Sequence, residues 1–175
     1  MSGKTPYILV GCGDSGKQIL ERVRERVSKD LVSVYINSQN LDMDMLDAVI
    51  GSTDLVFLFC GAWDRGEIIA AKVICELCRR HGVPTIGITL KSSVGTSVGT
   101  YTSAPKENIN TLRDTISNLI VLDHFNIVQQ NPDIGEDYAL NLTHELIGKL
   151  VSETTEMVDT ISMFRLEDVW SYRDI

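Results

Sequence analysis

Nothing in this sequence reads as a membrane span or a secretory leader: residues 1–6 lead straight into a strand pattern, and no apolar stretch reaches the length either element needs. A cytoplasmic protein is expected. A basic surplus is also missing, since 16 Lys and Arg stand against 24 Asp and Glu, for a formal charge of −8 at pH 7. Counterion release from nucleic acid and attraction to an anionic membrane surface both need the opposite sign, so neither is expected as a partner. The basic residues of the first helical stretch, Arg22, Arg24, Arg26 and Lys29, alternate with Glu21, Glu25 and Asp30 and describe a solvated helix face.

A spaced cysteine framework is absent as well. Cys12, Cys60, Cys75 and Cys78 lie inside apolar segments, which suits free thiols in a reducing compartment. Cys75 and Cys78, with His81 close behind, make half of a zinc-type spacing. No second pair follows, and Val73, Ile74 and Leu77 around them form the buried stripe of a helix, so no metal site is expected there.

What is present is enough apolar material, 43% of 175 residues, for one core and a single domain over 1–175. Residues 7–10 form a strand run ended by Gly11, and Ile19, Leu20, Val23 and Val27 follow at helical spacing. Residues 31–36 read as a second strand, closed by a polar loop at 37–40, and 41–50 as a short helix. The continuous run 53–60 suits the centre of a parallel sheet covered on both faces. The stretch 67–80 predicts a strongly buried helix stopped by His81-Gly82, and 83–90 another strand. The Ser-, Thr- and Gly-rich stretch 91–105 reads as a surface loop. Ile109, Leu112, Ile116 and Leu119 mark a helix, 119–122 a strand and 134–158 a long helix, while 164–175 has no clear period. Strands alternating with helices predict a three-layer, Rossmann-like α/β fold: a mostly parallel sheet with helices on both faces. The loops after Val10, Ile36, Cys60, Leu90 and Leu122 then share one ligand-binding rim.

The segment Gly11-Cys12-Gly13-Asp14-Ser15-Gly16 sits between a strand and a helix, where backbone amides and the helix N-terminus can receive a phosphate. Lys17 adds charge, although the Walker spacing is missing. The same spacing also serves as a plain strand-to-helix turn that needs glycine for backbone reasons. Asp14 opposes an anion unless its side chain turns away or caps the helix. A small NAD(P)- or FAD-binding oxidoreductase would need an acidic residue at the end of the second strand, and Asn37 stands there instead.

Further blocks follow in a fixed order: Gly51 to Gly61, Ile69 to Thr89, Ile109 to Leu122, Glu136 to Leu150 and Arg165 to Val169. Together with the glycine turn they resemble the nucleotide-binding domain of the tubulin/FtsZ superfamily. The resemblance implies an FtsZ-type GTPase-domain fold, GTP or GDP as ligand with Mg accompanying it, a part in cell division, and a second copy or an FtsZ-type protein as partner. It also implies the site residues. Gly11, Cys12, Gly13, Asp14, Ser15 and Gly16 form the first loop, with Asn37 after the second strand. Gly61, Arg65 and Gly66 belong to the signature loop. His124 replaces a ribose-contacting asparagine, and Asp137 takes the position that accepts hydrogen bonds from guanine N1 and N2.

The departures from the family pattern concern the chemistry. Where the family has G-G-G-T-G-T-G, this chain has Gly61-Ala62-Trp63-Asp64-Arg65-Gly66-Glu67, and Trp63 and Asp64 do not fit a loop that wraps triphosphate oxygens. A phosphate-contacting loop and helix between residues 40 and 53 are largely missing, and Asp133 stands where the family stacks an aromatic on the base. The family's catalytic N-x-D-x-x-D positions read Met163, Arg165 and Asp168, so Asp168 is the lone catalytic acid. The chain also ends before the family's second domain. The leading expectation is therefore a guanine-nucleotide-binding module, a weak GTPase at most, that controls self-association or a partner. An FtsZ-fold interaction protein that has lost its nucleotide is the alternative, and the oxidoreductase comes third.

Overall fold

Along the chain run β1 (Tyr7–Cys12), α1 (Gly13–Arg24), β2 (Val32–Ile36), α2 (Met43–Gly51), β3 (Leu55–Cys60), α3 (Arg65–His81) and β4 (Thr85–Leu90). They are followed by β5 (Ser92–Val94), β6 (Tyr101–Ser103), α4 (Lys106–Thr115), β7 (Asn118–Leu122), α5 (His124–Gln130) and α6 (Glu136–Met163). The computed structural model describes residues 6–27, 31–37, 39–94 and 101–163. β1 and β3 are buried along their whole length. They lie at the centre of a five-stranded, all-parallel sheet of order β2-β1-β3-β4-β7.

Side chains alternate across this sheet because successive strand residues point to opposite faces. Ile8, Val10 and Cys12, with Val56, Leu58 and Cys60, meet α2, α3 and α4 through Leu46, Ile50, Ala71, Ile74, Leu77 and Leu112. Tyr7 and Leu9, with Leu55, Phe57 and Phe59, meet α1 and α6 through Ile19, Leu20, Val23, Ile147 and Val151. Each large side chain buried this way contributes roughly 1.5–3 kcal/mol, so both layers are needed. The three-layer α/β architecture expected from the alternation is the one observed. At the foot of β1 the Tyr7 hydroxyl donates to the Thr155 carbonyl at 3.0 Å and bonds the Asp159 carboxylate, tying the strand to α6.

Local signals account for the element ends. Asp42 caps α2 by accepting from the Met45 amide at 3.0 Å, Asp64 caps α3 through the Gly66 amide, and Asp123 caps α5 through the Phe125 amide at 3.2 Å. α3 stops at Gly82, whose φ of 66° is left-handed. The stretch 91–105, expected to be a loop, differs: β5 and β6 pair antiparallel across it, with Ser92 opposite Ser103. Lys91 N donates to the Leu122 carbonyl and Ala104 N to the Lys91 carbonyl, both at 2.8 Å, so the pairing grows out of the sheet edge. Its short polar strands carry little apolar periodicity. α5 also has no expected counterpart, because seven residues give too short a periodic pattern.

The β1–α1 turn depends on close backbone approach. A Cβ on Gly16 would overlap the Phe59 carbonyl oxygen and come within 3.2 Å of the Gly11 carbonyl carbon. Backbone cannot yield there as a flexible side chain can. Gly16→Ala is therefore expected to cost roughly 1–3 kcal/mol of stability in urea unfolding, and an unchanged midpoint would show that α1 does not bear on β3 at this point.

Candidate functional site

The carboxyl ends of the parallel strands form one rim, and the crossover from β1 leaves to one side while β3 lies on the other, which opens a crevice between them. Gly13 stands in it with φ 67°, a left-handed conformation that turns the chain from β1 straight into α1. The helix start would otherwise offer unsatisfied amides to a ligand. Here a side chain of the same protein takes one of them. Glu67, from the first turn of α3, is 7% exposed, and its Oε1 accepts from the Ser15 amide at 2.9 Å.

The fit around this carboxylate is close. A Cβ on Gly13 would lie 2.6 Å from Glu67 Oε1, and one on Gly61 would overlap Oε2 and lie 2.6 Å from Ser15 Oγ. Burial pushes the Glu67 carboxyl above its ordinary pKa. Hydrogen bonding from the Ser15 amide and hydroxyl pulls it down, and the charges of Asp64 and Asp14 push it up. Oε2 is buried without a hydrogen-bond partner among the described residues.

Outside Glu67 lies a polar hollow of about 250 Å³, lined by Gly13, Asp14, Tyr35, Asn37, Asp64 and Gly66 among others. It brings together four residues expected at a nucleotide site, Gly13, Asp14, Asn37 and Gly66, while Gly61 lies against the Glu67 carboxylate and Ser15 without lining the hollow. Its charged groups are all acidic. Asp14 is exposed and does not cap α1; it accepts from the Tyr35 hydroxyl at 3.3 Å, which in turn accepts from Asn37 Nδ2 at 3.3 Å. The Lys17 ammonium stands 5.2 Å from the centre of the Tyr35 ring and 3.9 Å from Glu21.

The other expected residues are placed apart from this hollow. Cys12 is buried on the α3 side of the sheet opposite Cys60, and burial raises its thiol pKa well above the ordinary value, so only its backbone reaches the turn. Gly11 and Gly16 are buried against each other. Arg65 is exposed and forms no salt bridge with Asp64 or Glu67 among the described residues. His124, the first residue of α5, is 1% exposed and shares with Ser15 and Trp63 a second cavity of about 540 Å³ between α1 and α6. Asp137 is exposed on the first turn of α6 and lines neither cavity. Asp168 lies outside the described residues. Among those residues no cluster of three His, Cys, Asp or Glu is placed to hold a metal, and no helix is long and apolar enough to cross a membrane.

Two residues of the site carry weight that their sequence positions did not show. Glu67 follows the cap Asp64 by three, the spacing of a capping box in which it would reach back to its own helix start; it reaches across to α1 instead. Trp63, in the loop that departs from the family pattern, is half-buried and joins both apolar layers.

A scan against protein-family models finds no match. Over 94% of its length the chain is 20% identical to the cell division protein FtsZ 2 of Halobacterium salinarum and 24% identical to that of Haloferax volcanii. It spans about half the length of these curated relatives, 51% and 50%. Among solved structures it is similar to an FtsZ dimer of M. jannaschii, with a TM-score of 0.58 and 15% identity over 87% of this chain and 55% of that one. A flavodoxin-like domain from Synechococcus gives a TM-score of 0.52 at 10% identity over 91% of this chain and 98% of that domain. These likenesses support a Rossmann-like α/β fold with a distant FtsZ-like relationship.

Two titrations test this geometry with opposite signs. Glu67, with its folded pKa raised, favours the fold below its unfolded value and loses that contribution as pH rises through the folded one. Glu67→Gln is therefore expected to melt higher than the parent at pH 7, with the gain fading on acidification, while Glu67→Ala melts lower throughout; a lower melting point for Glu67→Gln at pH 7 would show that the charge itself holds the turn. His144 is the reverse case, since burial first, then Arg26 and Arg22, depress it from 6.5 to about 4. Its contribution is complete above 6.5 and is lost as pH falls towards 4. His144→Leu should remove most of the fall in Tm over that window, and an unchanged slope would count against a buried neutral imidazole.

Proposed function

We propose that this chain is an FtsZ-fold association module whose glycine turn is closed to nucleotide phosphate by its own Glu67, and which works by contact with a second copy or another FtsZ-type chain. The observation behind the reading is the Glu67 carboxylate on the Ser15 amide, between Gly13 and Gly61. A phosphate entering there would meet Glu67, Asp14 and Asp64 together. Two like charges about 4 Å apart repel by roughly 4 kcal/mol at an effective dielectric constant of about 20, whereas a helix N-terminus returns only about 0.3–1 kcal/mol. Repulsion wins. With Asp168 the lone acid of the family's hydrolytic pattern, GTP hydrolysis has no place in this reading.

Association draws support from two sides. The relatives are named as cell division proteins, and the similar solved structure is described as a dimer. On the chain itself, α6 holds Tyr138, Leu146 and Met157 at 58%, 53% and 58% exposure, an apolar series without cover among the described residues. A second reading, binding of GTP or GDP with Mg after displacement of Glu67, has one observation in its favour: Gly13 still directs the start of α1 towards the rim.

Calorimetry with GTP, GDP and Mg, and sedimentation over a range of protein concentrations, separate the two. Association is expected to be independent of nucleotide and weakened by Leu146→Glu, with no heat at about 1 mM nucleotide. Micromolar binding of GTP or GDP would establish the second reading, and a monomer at every concentration would remove the first.

A further inference from the structure

We infer that the outer edge of β2 pairs antiparallel with the same edge of a second copy, joining the two sheets into one across a two-fold axis. The inference rests on the association reading and names a surface other than α6. β2 closes the sheet beside β1 and has no strand on its other side among the described residues. Its outward backbone N–H and C=O groups therefore form an open ladder. Such edges are ordinarily blunted by charge, proline or a bulge, whereas Val32-Ser33-Val34-Tyr35-Ile36 has no charged residue and no proline. Two-fold pairing centred on Val34 sets Val32 opposite the second copy's Ile36, Ser33 opposite its Tyr35, and Val34 opposite itself.

The face shared with α2 and α3 is self-complementary in this arrangement. Val32 stands in register with Ile8, whose side chain belongs to the layer on that face, so Val32 points the same way, and it is 44% exposed. On α2, Asp47 turns towards α3, where it bonds Arg80 at 3.2 Å and His81 at 3.0 Å. Met45, two residues earlier, lies about 200° around the helix from it. That is the side above the β2 edge, and Met45 is 42% exposed there. α2 begins beyond the carboxyl end of β2, so Met45 stands near that end and Val32 at the other. Reversing the second strand brings each Met45 to the other copy's Val32 and covers both, a contact to which the flexible thioether adapts. Among the described residues, neither the other edge strand, β7, nor α4 beside it has an exposed large hydrophobic side chain.

The opposite face carries charges in a matching order. Lys17 stands 5.2 Å from the centre of the Tyr35 ring and Asp14 3.3 Å from its hydroxyl, so this side of α1 borders β2. Glu21 follows Lys17 by one turn, 3.9 Å away, and Arg24 follows it by two, both exposed. The α6 side of the helix is a different one, marked by Arg26, which donates to Asn141 at 3.2 Å. From Asp14 to Arg24 the signs along the β2 side run negative, positive, negative, positive. A second α1 lying antiparallel across the seam sets Arg24 against Asp14 and Glu21 against Lys17, twice over. A parallel neighbour in the same register would set like against like, so the charge order selects the two-fold arrangement.

Sedimentation of a Leu146→Glu chain, whose α6 surface is altered, tests the pairing. That chain is expected to remain a dimer at about 500 µM. In the same background Val32→Lys, at an exposed position, should weaken the dimer at least about tenfold while leaving the chain folded. Lys17→Glu and Glu21→Lys should each weaken it about fivefold or more, and an equimolar mixture of the two should recover the parental affinity to within about twofold. Each altered residue then meets its opposite only on the other chain, a recovery that no effect within one chain produces. The pairing is overturned if Leu146→Glu is monomeric at about 500 µM while the parent associates, which leaves the association reading standing. It is also overturned if the mixture associates no better than either variant alone, or if hydrogen exchange shows amides of β7 rather than β2 gaining protection with concentration. A parent chain that is monomeric at every concentration removes the reading and the pairing together.

Discussion

The rim of this protein is organised by one contact, the hydrogen bond from the Ser15 amide to the carboxylate of Glu67. It satisfies a helix-start amide that would otherwise need solvent or a ligand. It also joins α1 on one face of the sheet to α3 on the other, over the ends of β1 and β3. The absence of side chains at Gly13 and Gly61 follows from it, since a Cβ on either would crowd that carboxylate. A buried acid is a costly acceptor, and Asp14 and Asp64 raise the cost. With Asp14 and Asp64 beside it, this carboxylate makes the charged lining of the rim hollow acidic.

The same contact stands between two unlike spaces. Glu67 lines the polar hollow at the ends of β1 and β2, and Ser15 lines the more apolar cavity between α1 and α6. His124, His144 and Trp63 line one side, and the carboxylates of Asp14, Asp64 and Glu67 line the other. The glycine spacing meanwhile has work that needs no ligand. Gly16 allows α1 to approach the Phe59 carbonyl, and Gly13 supplies the left-handed turn.

The strand order bears on how the resemblance to FtsZ is to be understood. With only the short α2 between β2 and β3, β2 is the edge strand, and the order β2-β1-β3-β4-β7 is shared with flavodoxin-like sheets. The relatives align over 201 residues, more than the 175 of this chain, so they carry insertions relative to it.

Periodicity made most of the architecture legible. The continuous runs in β1 and β3 announced strands covered on both faces, and the stripe of Ile68, Ala71, Ile74 and Leu77 announced α3. These signals are local, because burial on one face imposes a repeat along the chain. The β5–β6 pair and α5 carried no such repeat, since backbone pairing at a sheet edge and a seven-residue helix leave little pattern in side chains. For the site, the sequence by itself determined where the glycine turn lies, that Trp63 and Asp64 stand in the loop after the third strand, and that His124 follows the last strand. Which residue fills the turn was decided only by tertiary structure. Glu67 is 52 residues from Ser15, and its carboxylate arrives there because parallel crossovers bring the starts of α1 and α3 to one rim, a proximity that no spacing along the chain encodes.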